Sequence, residues 1–385
     1  MKKLAIITTH PIQYYAPVFQ LLHKRGKLDI KVFYTWGEAS AHKFDPGFNK
    51  KIKWDIPLLE GYLYEWVKNI AKEPGTHHFN GVNNPDLIEQ IKDWQPDAVL
   101  IYGWGFQSHL KVLRYFKNKV PVFFRGDSTL LDEENGAKSI LKTAFLKWVY
   151  RHVDHAFYPG TNTKAYFKKY GLKDKQLSFA PHAIDNMRFA ADRSDEVLAL
   201  RKTLGIEGDE ILILFAGKFE EKKSPVQLLE AFLNLTITGV HLLFVGNGPL
   251  EEQLKGKSAE NSRIHFMDFQ NQSQMPVVFQ SCDLFCLPSK GPGETWGLAI
   301  NEAMAACKAI LASDKVGAAA DLVEAGNNGE IFKAGVTADL TDKLNKLICA
   351  GKRSLAEMGK NSGILIAKWT IEEQVNIIEN AVNNG

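Results

Sequence analysis

The stretch Gly291-Pro-Gly-Glu-Thr-Trp-Gly-Leu-Ala-Ile-Asn-Glu-Ala-Met-Ala305 follows an apolar run at 284–288. The run predicts a buried strand, the glycines predict a tight loop, and the residues after Gly297 predict a helix. A strand, a glycine-rich loop and a helix N-terminus together present backbone N–H groups that suit a phosphate or a sugar oxygen. Glu294 in the loop and Glu302 in the helix add carboxylates, which bind vicinal hydroxyls. We expect a ligand here, although a capped helix with two solvated glutamates would show the same spacing.

Short β-branched and aromatic runs alternate with segments of helical period along most of the chain. That alternation predicts the α/β class, with helices wound around parallel sheets. The predicted strands are at 3–9, 29–35, 98–103, 122–127, 156–160, 177–181, 211–217, 241–246, 264–268, 284–288, 309–313 and 329–332. A charged stretch at 190–209 has turn signals and no strand character, which predicts a domain boundary. The sequence therefore predicts an N-terminal domain at 1–190, a C-terminal domain at 191–369 and a final amphipathic helix at 370–385.

The composition is that of a soluble globular protein, with 45% hydrophobic and 24% charged residues in a chain of 385. The four cysteines (Cys282, Cys286, Cys307 and Cys349) have no metal-binding spacing and stand in apolar surroundings, so we expect buried free thiols in a reducing compartment. The apolar run at 4–7 is too short for a signal peptide, and no run approaches the length of a membrane span. These features predict a cytoplasmic protein that is at most peripheral to the inner face of a membrane.

The charge is uneven along the chain. Residues 1–190 carry 28 Lys and Arg against 18 Asp and Glu, a net +10, whereas the remainder carries 19 against 26, a net −7. Such asymmetry indicates that the two halves have different partners. We find no zinc finger, helix-turn-helix or basic-aromatic array, so nucleic acid is not expected as a partner.

A second segment places cations at the end of the predicted strand 211–217. Lys218 follows the strand, and Lys222 and Lys223 precede the next helix. Ligands of open α/β sheets bind beyond the carboxyl ends of the strands, where cations would neutralise a diphosphate. A cluster of charged residues on the surface, with no ligand, would show the same sequence pattern. A third segment, Val245-Gly-Asn-Gly-Pro249, is a strand-to-helix turn and by itself a weak nucleotide signature.

These segments resemble the retaining GT-B glycosyltransferases of family 4. The residues that carry the resemblance are Gly217-Lys218 with Lys223, Val245-Gly-Asn-Gly-Pro249, Asp283-Leu-Phe-Cys-Leu-Pro-Ser289, Glu294-Thr-Trp-Gly-Leu298, Glu302-Ala-Met-Ala305, and Pro181-His-Ala-Ile-Asp185 with Phe189. They cover most of 177–332, and residues 1–176 are similar in pattern only. The resemblance implies two Rossmann-like doubly wound domains that face a central cleft, with the last helix crossing back to the N-terminal domain.

The resemblance implies transfer of a sugar, with retention of configuration, from a nucleoside-diphosphate sugar to a glycan, a glycolipid or another acceptor. The setting would be synthesis of a cell-surface polysaccharide or glycoconjugate. The nucleotide sugar would be a co-substrate, and no cofactor is implied. A non-hydrolysing sugar-nucleotide epimerase and a catalytically silent nucleotide-sugar binding protein remain alternatives.

The donor site implied by the resemblance lies in the C-terminal domain. Lys218 and Lys223 would hold the diphosphate, Glu302 the ribose and Glu294 the transferred sugar. Lys218 stands where the family usually has Arg, whose bidentate geometry it lacks. The remaining implied donor contacts are Gly246, Thr295, Trp296, Gly297, Leu298 and Phe269. The resemblance places the nucleotide base near Phe269 and the preceding Asp268, which stands where the family commonly has Gly.

The N-terminal domain departs from the family pattern. His10-Pro-Ile-Gln-Tyr-Tyr15 replaces a glycine-rich turn, and we expect His10, Gln13 and Tyr14 on the acceptor or phosphate side. Arg125 ends a predicted strand, and it or Asp127 would take the place of a His that is frequent in the family. Trp104 ends another strand and would shape the acceptor pocket. We expect Lys223, Glu294 and Asp127 to be the catalytic residues.

No D-x-D sequence occurs, so a carboxylate-held Mg²⁺ is not expected. The segment 138–152 predicts an amphipathic helix with Trp148 and basic flanks, a pattern that suits an anionic membrane surface. Packing of the same apolar face on the sheet is the competing interpretation.

Overall fold

The computed structural model describes residues 1–38, 44–45, 48, 50–51, 53–133 and 136–384; the side chains at 44–45, 50–51 and 137–138 are not described. The chain divides into two compact units. The N-terminal unit comprises Met1–Lys43, Ile56–His182 and Ile371–Gly385, and the C-terminal unit comprises Phe44–Asp55 and Ala183–Thr370. The division therefore falls at His182, whereas the sequence places the boundary at 190–209.

The N-terminal unit is built on a parallel seven-stranded sheet. The strands are β1 (Lys2–Thr8), β2 (Leu28–Tyr34), β5 (Leu63–Trp66), β6 (Ala98–Tyr102), β7 (Val122–Arg125), β8 (His155–Tyr158) and β9 (Leu177–Phe179). Their order, β5-β2-β1-β6-β7-β8-β9, reverses direction between β1 and β6. Ligands of open α/β sheets bind at such a switch point, outside the carboxyl ends of the strands.

Helices flank this sheet, and one of them comes from the end of the chain. They are α1 (Ala16–Arg25), α2 (Leu87–Asp93), α3 (Gln107–Phe116), α4 (Ala137–Tyr150), α5 (Thr161–Lys169) and α15 (Ile371–Asn384). Val375, Ile378 and Val382 of α15 are buried in the same apolar cluster as Leu4 and Phe19. The final helix thus completes one face of the N-terminal unit.

The C-terminal unit has a parallel six-stranded sheet in the order β12-β11-β10-β13-β14-β15. These strands are β10 (Ile211–Ala216), β11 (Val240–Val245), β12 (Ile264–Met267), β13 (Leu284–Leu287), β14 (Ala309–Ser313) and β15 (Gly329–Phe332). Both β10 and β11 are buried along their whole length, as continuous apolar runs in a doubly covered sheet must be. The switch point lies between β10 and β13.

The helices of the C-terminal unit are α6 (Asn186–Ala190), α7 (Ser194–Thr203), α8 (Pro225–Leu233), α9 (Glu251–Ser258), α10 (Met275–Ser281), α11 (Ala299–Ala305), α12 (Ala319–Leu322), α13 (Thr337–Cys349) and α14 (Gly351–Ile366). Two short antiparallel strands, β3 (Phe44–Asp45) and β4 (Lys50–Lys51), also belong to this unit. Among the described residues no helix combines the length and the apolar character that a bilayer span requires.

The structure also differs from the sequence expectations in one strand of the large sheet and in the cysteines. Strand β5 was not predicted because it is a sheet edge whose first two side chains are exposed, which hides the apolar alternation. Cys282 and Cys286 are buried as expected, but Cys307 and Cys349 are exposed because they lie at helix ends.

Candidate functional site

The loops after β10 and β13 meet through an ion pair at the switch point of the C-terminal sheet. After β10 the chain passes Lys218 and forms a 3₁₀ turn, Glu221–Lys223. The Lys223 ammonium contacts Glu294 Oε2 from the loop after β13. Only 21% of the lysine side chain and 8% of the glutamate side chain are exposed, so the pair is poorly screened by water. The two predicted catalytic residues of this unit are thereby brought together.

The loop that carries Glu294 is fixed from several directions. The Ser289 hydroxyl donates to Glu294 Oε2 at 2.8 Å. The backbone N–H of Gly317 donates to the Glu294 carbonyl at 3.1 Å, and that of Ala318 donates to the Trp296 carbonyl at 2.8 Å. A Cβ at Gly317 would lie 1.7 Å from the Thr295 carbonyl oxygen, so the close approach of the two segments requires glycine there. The loop is preorganised by backbone contacts.

The side chain of Trp296 points into the protein. Its indole Nε1–H donates to Asn301 at 2.9 Å, and its ring lies 5.3 Å from that of Trp369. Gly297 follows with a φ of +93°, where a Cβ would lie 2.8 Å from Val316. A ligand at this loop would therefore contact the backbone around Thr295–Leu298 and not the indole.

Glu302 lies within α11 and is 4% exposed. A carboxylate on the helix that follows the loop suits the vicinal hydroxyl groups of a ligand. The predicted ribose-binding residue is thus in the same loop-helix element as Glu294.

The ends of β11 and β12 are tied together by Asn247. Its amide donates to Asp268 Oδ1 and to Glu251 Oε2, both at 3.0 Å, and its Oδ1 accepts from the Phe269 N–H at 2.9 Å. The neighbouring Gly246 allows close approach, since a Cβ there would lie 2.0 Å from the Gly217 carbonyl oxygen. Asp268 therefore serves to hold the turn at the position predicted for the base.

An aromatic cluster surrounds Phe269. The Phe48 ring lies 4.8 Å from that of Phe269, and the Trp54 ring lies 6.3 Å away. The Lys218 ammonium lies 5.1 Å from the centre of the Phe48 ring, within cation–π range. The predicted diphosphate lysine and the predicted base position are thus connected through Phe48.

The N-terminal unit has its own polar cluster beyond its switch point. Tyr102 ends β6 and is the register partner of Arg125, which ends β7. Arg125 is 2% exposed and donates to the backbone carbonyls of Ala180 and Pro181. Asp127 lies two residues later, 3.8 Å from His182. Arg125 is thus committed to the backbone, while Asp127 remains 44% exposed.

The other predicted residues of this unit lie in the loops after β1 and β6. His10 accepts or donates a hydrogen bond with Thr9 at 2.9 Å and packs edge-on against Trp36. Gln13 and Tyr14 are half-buried between β1 and α1. The half-buried Trp104 packs against Phe145 of α4, so it contacts the helix with the predicted membrane face.

Comparison with known proteins identifies the larger part of the C-terminal unit. Residues 197–364 match the family model described as glycosyl transferases group 1. The similarity to this family therefore lies within the C-terminal unit. The resemblance to glycosyltransferases that the sequence motifs predict is confirmed over these residues.

Two curated relatives of this family illustrate the similarity. Phosphatidyl-myo-inositol mannosyltransferase of Mycobacterium leprae is 33% identical over 140 residues, 35% of this chain and 37% of that protein. Alpha-monoglucosyldiacylglycerol synthase of Acholeplasma laidlawii is 30% identical over 179 residues, 44% of each protein. The chain spans less than half the length of the curated relatives that it matches.

Solved structures extend the likeness in fold to the whole chain. Anabaena Alr3699/HepE in complex with UDP and glucose has a TM-score of 0.73, 18% sequence identity and 100% coverage of both chains. The structural neighbours are GT-B glycosyltransferases, so the predicted GT-B fold class is confirmed.

Three residues at these sites were not singled out from the sequence. Asn247 and Ser289 act through side-chain bonds to other loops, and neither has a periodic or spacing signal. His182 was quoted only as part of a motif, because its nearness to Asp127 depends on strands β7 and β9 lying two apart in the sheet. Such contacts are visible only in the folded chain.

Proposed function

We propose that the chain is a retaining, metal-independent glycosyltransferase that moves a sugar from a nucleoside-diphosphate sugar to an acceptor. The observation that carries the proposal is the partly buried pair Lys223–Glu294 at the switch point of the C-terminal sheet. In that position an ammonium stabilises the negative charge that develops on a leaving diphosphate, and a carboxylate accepts hydrogen bonds from hydroxyl groups of the transferred sugar.

The remaining donor contacts follow from the same loops. Lys218 adds a second cation, Glu302 binds the ribose, and the backbone at Thr295–Leu298 with Gly246 approaches the phosphates. The base lies against Phe269. The complex of Alr3699/HepE with UDP and glucose supports a nucleotide sugar as the ligand class.

The acceptor is proposed to be a lipid-linked glycan or a glycolipid at the cytoplasmic face of a membrane. Among the described side chains of α4, Leu146, Val149 and Tyr150 are buried, whereas Ile140 and Leu141 are 72% and 76% exposed. The competing expectation, that the whole apolar face packs on the sheet, therefore fails for the first half of the helix. Exposed apolar residues beside basic ones suit an anionic lipid surface. The names of the two curated relatives include a phosphatidyl-inositol and a diacylglycerol derivative, which supports a lipid acceptor.

The function is tested with purified protein and a panel of UDP-, GDP- and ADP-sugars. We expect release of a nucleoside diphosphate with one donor, faster with extracted membrane lipids, and a product whose anomeric configuration matches the donor by NMR. Lys223→Ala should lower turnover by at least about a hundredfold, the usual effect of removing one group that stabilises developing charge. The matched control is Lys222→Ala, because the neighbouring ammonium is 3.5 Å from Glu220 and 43% exposed.

The outcomes separate the alternatives. Inversion of configuration would overturn the retaining mechanism. Conversion of the donor to its epimer without transfer would identify an epimerase. Binding of a nucleotide sugar, seen as a rise in Tm, without any turnover would identify a silent binding protein.

A further inference from the structure

Arg125 joins two strand ends of the N-terminal unit. Strands β7 and β9 are separated by β8 in the sheet, and the buried guanidinium at the end of β7 reaches the segment that follows β9. Its Nη1 donates to the Ala180 carbonyl at 3.0 Å, and its Nη2 donates to the Pro181 carbonyl at 3.1 Å. The next residue in that segment, His182, is 5% exposed and is held by this bridge.

The same guanidinium determines which nitrogen of His182 carries the proton. Arg125 Nη2 lies 3.3 Å from His182 Nδ1. A guanidinium has only donors, so Nδ1 must accept and the proton of the neutral ring must be on Nε2. Burial lowers the pKa of His182, and the positive charge of Arg125 lowers it further, against the opposite effect of Asp127. His182 is therefore a neutral imidazole whose Nε2–H faces Asp127.

Nε2 lies 3.8 Å from Asp127 Oδ2, which is longer than a hydrogen bond. A hydroxyl group both accepts and donates, so it complements an N–H and a carboxylate that face one another. Tyr102, the register partner of Arg125, adds an independent sign of a polar ligand. Its hydroxyl is buried and has no hydrogen-bond partner in the part of the chain that the structure describes.

We propose that His182 and Asp127 together bind one hydroxyl group of a sugar, with Nε2–H donating to it and the carboxylate accepting from it. Arg125 is a positioning residue that fixes the tautomer of His182. The hydroxyl belongs to the acceptor or to the transferred sugar. This inference rests on the proposed glycosyl transfer only for the origin of that hydroxyl.

The tautomer is tested first, by ¹⁵N NMR of the imidazole nitrogens, with the His182 signals assigned by their loss in His182→Gln. We expect a protonated Nε2 and an unprotonated Nδ1 at neutral pH. Arg125 and Asp127 both face this ring, and Tyr102 is beside Arg125 in the sheet. In Arg125→Lys the fixed tautomer should become a mixture while the circular dichroism spectrum stays native. A protonated Nδ1 in the wild type, or an unchanged tautomer in Arg125→Lys, would overturn the assignment.

Kinetic measurements then test whether His182 binds a hydroxyl group of the sugar. The amide nitrogen of a glutamine can reach the place of Nε2, whereas an asparagine reaches only that of Nδ1. We expect His182→Asn to raise one KM about tenfold, as for one lost hydrogen bond in a buried site, and His182→Gln to raise it much less. A rise in the KM of the nucleotide sugar assigns the hydroxyl to the transferred sugar, and a rise in the acceptor KM assigns it to the acceptor. The matched control is His155→Gln, since this histidine begins β8, at the end of the sheet opposite to the strand end that carries Arg125. Equal KM values in the two His182 variants would overturn the hydroxyl site.

If the chain transfers no sugar, the proposed function is wrong, but this inference can still be tested. The probe is then glucose, galactose or mannose at high concentration, added to the wild-type protein. At least one of them should shift the His182 Nε2 signal, and the shift should be absent in Asp127→Ala. A signal that none of the three sugars moves would overturn the hydroxyl site independently of transfer.

Discussion

At the scale of single residues, the loop after β13, which we propose to be the donor loop, holds a carboxylate that depends on its partner. Glu294 accepts from Ser289 at 2.8 Å and pairs with Lys223, and its side chain is 8% exposed. Removing one partner of a buried pair leaves an uncompensated charge, which costs more than the pair itself contributes. Loss of activity in Lys223→Ala therefore has two physical sources, a missing cation and a destabilised loop.

A double variant isolates the contribution of loop stability. We expect Lys223→Ala to lower the free energy of unfolding by about 1–3 kcal/mol, less than for a fully buried pair because the lysine is partly exposed. Lys223→Ala with Glu294→Gln should recover most of that stability, since no buried charge remains, yet should stay inactive. Urea unfolding and the transfer assay check the two parts. Recovered activity in the double variant would remove Lys223 from the chemistry.

Gly317 gives a second prediction at this scale. A Cβ 1.7 Å from the Thr295 carbonyl oxygen must push the donor loop away. Overpacking costs about 1–3 kcal/mol, so Gly317→Ala should lower the Tm by several degrees and weaken nucleotide-sugar binding. Gly256→Ala is the matched control in α9, where nothing lies within 4 Å of the new Cβ. That control should hold or slightly raise the Tm, because alanine favours a helix. Equal effects of the two changes would contradict the close approach.

At the scale of secondary-structure elements, α4 is divided between two environments. Its C-terminal half packs inward through Leu146 and Val149. Ile140 and Leu141 in its N-terminal half are exposed, as is Phe145 one turn later. Trp148 links the halves and lies 5.4 Å from Arg114 and 5.9 Å from Arg151. Basic groups beside exposed apolar residues can bind lipid headgroups and acyl chains together.

Vesicle binding tests this surface of α4. We expect the chain to bind phosphatidylglycerol vesicles at low salt and to be released as salt rises, because screening weakens the attraction. Ile140→Ser with Leu141→Ser should weaken binding at least about tenfold, since each buried aliphatic side chain contributes roughly 1.5–3 kcal/mol. The control is Leu198→Ser with Ile364→Ser, two side chains that are each 67% exposed in the C-terminal unit. Flotation that is equal for both double variants would favour a soluble acceptor.

The elements also show what the sequence can predict. Buried strands such as β10 and β13 are continuous apolar runs, and their loops carry residues whose chemistry is evident, such as Lys223 and Glu294. The edge strand β5 is half-exposed and gives a weak pattern. The pairing of His182 with Arg125 depends on the order of the strands, a long-range property that local periodicity does not contain. Sequence alone therefore predicts the loops of the donor site better than the polar cluster of the N-terminal unit.

At the scale of the whole molecule, charge is divided along the chain. Residues 1–190 have a net charge of +10 and the remainder −7. The C-terminal unit nevertheless brings Lys218 and Lys223 to the switch point of its sheet, against the acidic balance of that half. Cations retained at one place in an otherwise acidic unit suit an anionic ligand that the unit must bind there.

The final prediction concerns how the charge of the leaving diphosphate is neutralised. A transferase must stabilise this charge with a metal ion, with cationic side chains or with backbone dipoles. The two lysines and the backbone at Thr295–Leu298 offer the second and third means, and the sequence has no D-x-D to hold a metal. We therefore expect transfer to continue in EDTA at a rate within about twofold of that in Mg²⁺. We further expect Lys218→Ala to raise the KM of the nucleotide sugar more than it changes turnover, because a lysine acts as a point charge on the bound phosphate. Inactivation by EDTA that Mg²⁺ or Mn²⁺ reverses would show that a metal ion, and not these lysines alone, neutralises the diphosphate.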